Sequence, residues 1–359
     1  MKKVLILTSV KTGFGHRASA NAIEKKLKDK GYETKQLDVF PLMGKMGMLM
    51  ENSYIPLTTK APHIYFLCQR VSEYFPLFIH AQMCFRIRKN LLREIETFQP
   101  DLILSVHCMF TRAISYLIKK EKLNIPFYIG VVDLMYPPKV WEDKEADAIF
   151  VPTDEIYEDY RKKGFSKDRV VVSGFPIRDD IVAKDEAVRK RDHLHLLMIN
   201  PSTDLKKNIR FALEASKAEN TRIDFVCGLD ERLYETLKQL QEEGKIGNNV
   251  TIHNFVSNVN ELLYESDVVL AKAGPNIITE ALYSATPIVI TGHIKGQENY
   301  NYRYVTEHGF GVKCEDPGKI SKVLEDLTNG DLEKYRQIII AHKIKNGADS
   351  IAAYIDSHI

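Results

Sequence analysis

The chain has little of what small secreted or metal-held folds rely on. Its 359 residues hold five cysteines, Cys68, Cys84, Cys108, Cys227 and Cys314, an odd and scattered set without a CxxC pair. That excludes a disulfide framework or a zinc ribbon and fits buried thiols in a reducing compartment. Long apolar runs are missing: none approaches the roughly 18 residues that a spanning helix needs. Met1–Val10 also lacks a signal-peptide pattern, so a soluble or peripheral protein is expected. Charge of one sign is equally scarce. Fifty Lys and Arg against 48 Asp and Glu leave a net +2, too little for a dedicated nucleic-acid binder, so any pull on an anionic partner has to come from local clusters. With few Gly and Pro beside 44% hydrophobic residues, the composition is globular, and the length suits about two domains.

What the chain does have is alternation. Lys2–Ser9 is an apolar strand, and Ala18–Lys30 shows helical spacing through Ala22, Ile23 and Leu27. Strands recur at Thr34–Phe40, Leu102–Val106, Phe127–Val132, Ala148–Val151 and Val170–Ser173, with helical segments such as Asp154–Lys163 between them. Gly174–Asp192 breaks the rhythm with a proline and a dense charge run and reads as a linker. A second cycle follows, with strands at His195–Ile199, Ile223–Cys227, Val250–Asn254, Val268–Ala271 and Ile288–Ile290, and the chain after Gly330 reads as helical. The fold class is therefore α/β with parallel sheets. Expected boundaries are 1–174, a linker at 175–192, a second domain at 193–335 and terminal helices at 336–359. His193 and His195 alternate on one strand with no third ligand at metal spacing, so they read as structural and no metal site is expected.

Several stretches could carry chemistry. Thr12-Gly13-Phe14-Gly15-His16 lies at the carboxyl end of the first strand, where α/β sheets place ligands. Its glycines admit another molecule to the backbone, and His16 can take a proton near neutral pH. A tight turn with a capping histidine would look the same. Lys272-Ala273-Gly274-Pro275-Asn276 joins a strand to a helix whose free N–H groups could receive a diphosphate. Glu280, a turn further in, could meet a vicinal diol such as ribose or stand as a solvated carboxylate. Gly296-Gln297-Glu298-Asn299-Tyr300-Asn301 concentrates amides and carboxylates of the kind sugar hydroxyls bond, or caps a helix. Asp133 is a second candidate base or a strand-end cap. Finally, Lys60–Arg93 mixes apolar and aromatic residues with six basic side chains against Glu73 alone. It reads either as an interfacial membrane segment or as a core helix with a solvated basic edge.

Together these residues resemble the diacylglycerol glycosyltransferases: the monogalactosyldiacylglycerol synthases of plastids and the processive diacylglycerol glucosyltransferases of bacteria. More distantly they resemble the peptidoglycan lipid-intermediate N-acetylglucosaminyltransferase. The resemblance runs from Gly13-Phe14-Gly15-His16-Arg17-Ala18-Ser19-Ala20 through Val132-Asp133, Pro152-Thr153 and Ser173-Gly174-Phe175-Pro176. It continues in Lys272–Pro275, Thr279-Glu280-Ala281-Leu282 and Gly296–Asn301. It implies a GT-B fold, two Rossmann-like domains facing a cleft with the C-terminal helix returning to the N-terminal domain. By motif position it implies His16 as base and Asp133 as its orienter or as an alternative base. Glu280 would hold the uridine ribose, the Gly274-Pro275-Asn276 turn the diphosphate, Gln297 and Glu298 the hexose, and Phe255 the uracil, with Gly15, Ser202 and Asn301 at neighbouring donor positions. Asn200-Pro201-Ser202-Thr203 stands where relatives carry a glycine-rich loop, Val132 replaces a threonine, and Lys295 replaces a proline.

The activity implied is inverting, metal-independent transfer of glucose or galactose from a UDP-sugar to the hydroxyl of diacylglycerol, with no cofactor. Gln297 and Glu298 suit either hexose. In that setting Lys60–Arg93 becomes a membrane attachment, with Arg70, Arg86, Arg88, Lys89 and Arg93 drawn to anionic lipid and the enzyme peripheral on the inner, cytoplasmic face of the membrane. The other readings are a UDP-sugar epimerase of similar architecture and a non-catalytic nucleotide-sugar-binding regulator.

Overall fold

The computed structural model describes residues 1–10, 14–182, 193–294, 298 and 300–359, the side chains at 14, 59, 60, 62, 69, 72, 73 and 76 excepted. Two compact units emerge. One comprises Met1–Arg178 with Lys345–Ile359, the other Asp179–Ile294 with Glu298–Ile344.

The first unit contains β1 (Lys3–Thr8), α1 (Phe14–Asp29), β2 (Glu33–Asp38), α2 (Lys45–Lys60), α3 (Pro62–Tyr74), α4 (Pro76–Phe98), β3 (Leu102–Ser105), α5 (Thr111–Lys120), β4 (Phe127–Gly130), β5 (Ala148–Val151), α6 (Asp154–Lys162) and β6 (Val170–Val172). Its strands form one parallel sheet in the order β2-β1-β3-β4-β5-β6. Strands buried on both faces read as unbroken apolar runs, which is why Val4–Leu7 and Leu102–Leu104 are legible in the sequence. The order reverses between β1 and β3. At such a switch point the loops leaving the two strands diverge and open a crevice beyond their carboxyl ends.

The second unit contains β7 (Leu194–Ile199), α7 (Leu205–Ala215), β8 (Thr221–Val226), α8 (Glu231–Glu242), β9 (Val250–His253), α9 (Val259–Glu265), β10 (Val268–Ala271), α10 (Pro275–Tyr283), β11 (Ile288–Ile290), α11 (Asn301–Glu307), β12 (Gly311–Lys313), α12 (Ile320–Asp326) and α13 (Leu332–His342). Its parallel order β12-β11-β10-β7-β8-β9 reverses between β7 and β10. The sequence reading passed over β12, three residues long and only partly buried.

The chain closes with α14 (Gly347–His358), which belongs to the first unit. Ala348, Ile351, Ala352 and Ile355 join Ile23 and Leu27 of α1 in one buried cluster. The return of the terminal helices is confined to this segment, since α13 lies in the second unit. Two glycines make the docking possible. A Cβ on Gly174, itself at φ +85°, would stand 2.6 Å from the Lys345 carbonyl, and one on Gly347 would stand 2.1 Å from that of Gly174. Asn346 then clamps Ile177, accepting its N–H and donating to its carbonyl, both at 3.0 Å. The Gly174-Phe175-Pro176-Ile177 motif thus serves the closure of this unit.

His195 is structural, as its strand position suggested, though through a partner the sequence did not reveal. Asp224 is buried on β8 between His195 Nε2 at 2.5 Å and His253 Nε2 at 2.6 Å, while His195 Nδ1 donates to the Glu265 carbonyl. Burial pushes the Asp224 carboxyl up, but the bonds from the two imidazoles outweigh it and hold it below its ordinary value. A depressed carboxylate contributes stability above its unfolded pKa and loses it as pH falls through the folded one. Asp224→Asn is therefore expected to cost about 3–5 kcal/mol in denaturant unfolding at pH 7. The gap between variant and parent should narrow below about pH 4, where the unfolded carboxyl protonates.

Candidate functional site

In the first unit, His16 stands in the first turn of α1, beside Gly15. Its Nδ1 donates to the Val106 carbonyl at 2.8 Å, which leaves the Nε2 lone pair to accept a proton. Burial lowers its pKa below 6.5, against the opposing pull of that hydrogen bond. The imidazole is thus a neutral base at neutral pH. Asp133 follows β4, is buried, and accepts the indole Nε1–H of Trp141 at 2.7 Å. Burial raises its carboxyl to about 6 despite that bond. Trp141 lies 6.2 Å from the His16 ring, so the two titratable groups flank one indole. Asp133 is therefore not the orienter of His16; a backbone carbonyl does that, because Nδ1 is already committed to Val106.

Two side chains of this group escaped the sequence reading. Trp141 comes from the 3-10 turn Lys139–Trp141, and His107 follows β3 with its ring 4.5 Å from that of His16. A lone tryptophan was a signal worth pursuing. His107 sits at a strand's carboxyl end beside the switch point, which only the strand order reveals.

In the second unit the switch point is lined by the loops after β7 and β10. Gly274 caps α10 with Pro275 as the first helical residue, and no side chain caps this end. The N–H groups of Asn276 and Ile277 have no partner among the described residues. Gly274 has ordinary φ, and a Cβ there would meet nothing closer than 3.8 Å. The chain itself does not require glycine here; its effect is to leave the backbone open to another molecule. Glu280 is buried one turn further along α10. Glu298 accepts the Ile294 N–H at 2.7 Å and lies close to Gly274. Burial lowers the Lys272 amine, with the Glu298 carboxylate opposing. Asn301 donates to the Ala273 carbonyl at 2.9 Å and, almost fully buried, braces the turn.

The β7 loop behaves differently. Asp204 caps α7, accepting the N–H groups of Lys206 and Lys207, and Ser202 Oγ accepts the Asp204 N–H. A carboxylate already fills this helix terminus, so it repels rather than receives a phosphate, and the Ser202 hydroxyl serves the turn. Phe255 is exposed on the loop after β9, two strands from β7. Gln297 lies outside the described residues, as do Thr12, Gly13, Gly296 and Asn299.

Lys60–Arg93 divides at Ala61 and Phe75 into the end of α2, all of α3 and most of α4. From Met83 onward α4 is an amphipathic core helix, burying Met83, Cys84, Ile87 and Leu91. Before that point most apolar residues face out, with Ile64, Leu67, Val71, Phe75, Leu77 and Phe78 exposed, and on the outer face of the core stretch Phe85 is 84% exposed. The core-helix reading thus holds for the stretch from Met83 onward, while the stretch before it leaves its apolar side chains exposed. Arg88 is tied to Glu121 at 2.8 Å, and Arg70 bonds and stacks on Tyr74. Arg86, Lys89 and Arg93 are exposed with no side-chain partner among the described residues. No helix among those residues is long and apolar enough to cross a membrane.

Residues 16–177 match the profile of the monogalactosyldiacylglycerol (MGDG) synthase family, and residues 185–345 that of the glycosyl transferases group 1. The chain is 29% identical over 350 residues to the chloroplastic monogalactosyldiacylglycerol synthase of Spinacia oleracea, covering 90% of this chain and 65% of the relative. It therefore spans just under two thirds of that protein's length. It is 25% identical over 344 residues to the processive diacylglycerol beta-glucosyltransferase of Bacillus mycoides, covering 92% and 87% of the two chains. Among solved structures, MurG of Acinetobacter baumannii is similar with a TM-score of 0.67 at 15% identity, over 99% of this chain and 100% of the other. At that identity the likeness shows the fold, the GT-B arrangement of two Rossmann-like units.

Proposed function

Because the chain belongs to the diacylglycerol glycosyltransferase family, we propose that it moves glucose or galactose from a UDP-sugar to the free hydroxyl of diacylglycerol, with inversion at the anomeric carbon. His16 Nε2 takes the hydroxyl proton while the oxygen bonds the anomeric carbon and the bond from that carbon to the diphosphate oxygen breaks. A base placed in this way contributes about 10²–10⁴-fold. The departing UDP carries the electron pair as negative charge, which the open N–H groups of Asn276 and Ile277 and the Lys272 ammonium receive. Donors already oriented need no reorganisation as charge develops, which makes this usually the larger contribution. Glu280 holds the ribose, and Gln297 and Glu298 hold the hexose.

The observation that carries this reading over a UDP-sugar epimerase is the apolar surface of α3 and the start of α4, in the unit that holds His16. An enzyme whose substrates are all water-soluble gains nothing from it, whereas a diacylglycerol acceptor stays in the bilayer and must be met there. The exposed side chains can enter the headgroup boundary while Arg86, Lys89 and Arg93 each add on the order of 1 kcal/mol near an anionic surface. The attachment is peripheral, on the face that carries anionic lipid.

The test is to incubate the protein with radiolabelled UDP-glucose or UDP-galactose and diacylglycerol vesicles, with and without anionic lipid. Label in the organic phase is expected. An aqueous epimer, or binding without turnover, would replace the transferase reading by one of the other two. In the same assay, reversing Arg86, Lys89 and Arg93 to Glu is expected to abolish co-sedimentation with anionic vesicles and leave UDP binding intact. Binding by the parent should weaken with salt, since exposed charges are screened beyond about 10 Å at 0.1 M. Salt-insensitive binding that survives the triple reversal would move the attachment elsewhere.

A further inference from the structure

Three neighbouring strands of the first sheet lead into titratable side chains: β1 to His16, β3 to His107 and β4 to Asp133. The reaction outlined above uses the first and leaves the second without a role. His107 is nevertheless closely specified. It is buried, its Nδ1 accepts the Met109 N–H, and in the neutral ring the proton therefore sits on Nε2. The Ser105 hydroxyl pins its backbone, accepting the His107 N–H and donating to the His107 carbonyl. Phe40 meets the ring edge-on at 5.3 Å, and Phe110 lies at 5.7 Å. The same ring packs against His16, with centroids 4.5 Å apart and planes inclined at 44°.

Val106 and His107 are consecutive, so one short segment supplies both the carbonyl that fixes the His16 tautomer and the ring that bounds its imidazole. We propose that His107 is a positioning residue for His16: its ring is the wall that sets the tilt of the His16 imidazole and keeps water from it, so that Nε2 meets the acceptor hydroxyl. The proposal rests on the transferase reading for the identity of that hydroxyl, but not for the wall itself. Burial lowers both imidazoles, and His107 the further, because the charge of a protonated His16 opposes a second proton beside it. A proton added to the pair therefore goes to His16 in preference to His107. Around His16 stand the titratable groups His107 and, beyond the Trp141 ring, Asp133, with Tyr65, Tyr160 and Cys108 close to that carboxyl. A misplacement of about 1 Å in a reacting group can cost on the order of 10²-fold, so a wall that fixes one ring matters to the rate.

Two variants separate the wall from the turn it caps. Asparagine can still accept the Met109 N–H but has no ring, whereas phenylalanine keeps the ring and loses the cap. His107→Asn is expected to lower kcat by about ten-fold or more with KM for UDP-hexose nearly unchanged, and His107→Phe to recover most of that loss. A second readout needs no turnover: the titration of His16 followed by NMR of histidine-labelled protein, its signal assigned by absence from His16→Asn. In His107→Asn, water reaches the imidazole and its titration moves up toward about 6.5, while in His107→Phe it stays at the parent value. A parental His16 titration in His107→Asn, or a His107→Phe as impaired as His107→Asn, would overturn the proposal. A parent protein that transfers no sugar would instead overturn the transferase reading, with the His16 titration still deciding the role of His107.

Discussion

Replacing His16 by alanine is expected to lower turnover by about 10²-fold or more while UDP affinity stays nearly unchanged. The expectation follows from where the imidazole sits: in the first turn of α1, with Nδ1 committed to Val106 and Nε2 available, and in a unit that holds none of the proposed nucleotide contacts apart from Gly15. It carries a pH signature. The working form is the neutral ring, so activity is lost as pH falls through the His16 pKa, and burial sets that value below 6.5. The acid limb of kcat/KM in the parent should therefore lie below 6.5. If instead Asp133 were the base, the limb would track its carboxyl near 6. Asp133→Asn would then remove the limb, and His16→Ala would retain it at reduced rate. An equal loss of UDP binding and turnover in His16→Ala would reassign the residue to structure.

The second large effect is expected at the nucleotide. Glu280→Ala should weaken UDP itself by roughly ten- to a hundred-fold, the loss of a hydrogen-bonded charge being worth about 1.5–3 kcal/mol. Gln297→Ala should weaken the intact UDP-hexose and hardly change UDP. Glu280 is buried in the second turn of α10, six residues beyond Gly274, on the helix that would receive the diphosphate at the N–H groups of Asn276 and Ile277 in the proposed reaction. Calorimetry with both ligands separates the two roles. Identical behaviour of the two variants would mean that one of the assignments carried over from the family is wrong at its residue.

Of the two units, the second was the more legible at its strand ends. Lys272–Asn276 announces itself because glycine and proline at a strand-to-helix junction have few other uses, and the helix that follows opens as they imply. Asn301 was placed correctly on its helix, yet its amide braces the Ala273 carbonyl, a contact 28 residues away in sequence. The capping of α7 by Asp204 was there to be read, since an aspartate before a periodic segment is a start signal.

The sequence by itself determined the two α/β halves, the parallel strands and the chemistry available at their ends, because each of these depends on local pattern: apolar runs for buried strands, helical spacing between them, and glycine where backbone must stay open. Tertiary structure alone decided which of these groups meet. Strand order brings β1, β3 and β4 side by side and so assembles His16, His107 and Asp133 from positions far apart in the chain. It also commits Asp133 to Trp141, leaves a backbone carbonyl to orient His16, and divides Lys60–Arg93 into an exposed apolar stretch and a core helix. The physical reason is that periodicity records whether a side chain is covered but not by what, and both proton affinity and exposure are set by the covering neighbour.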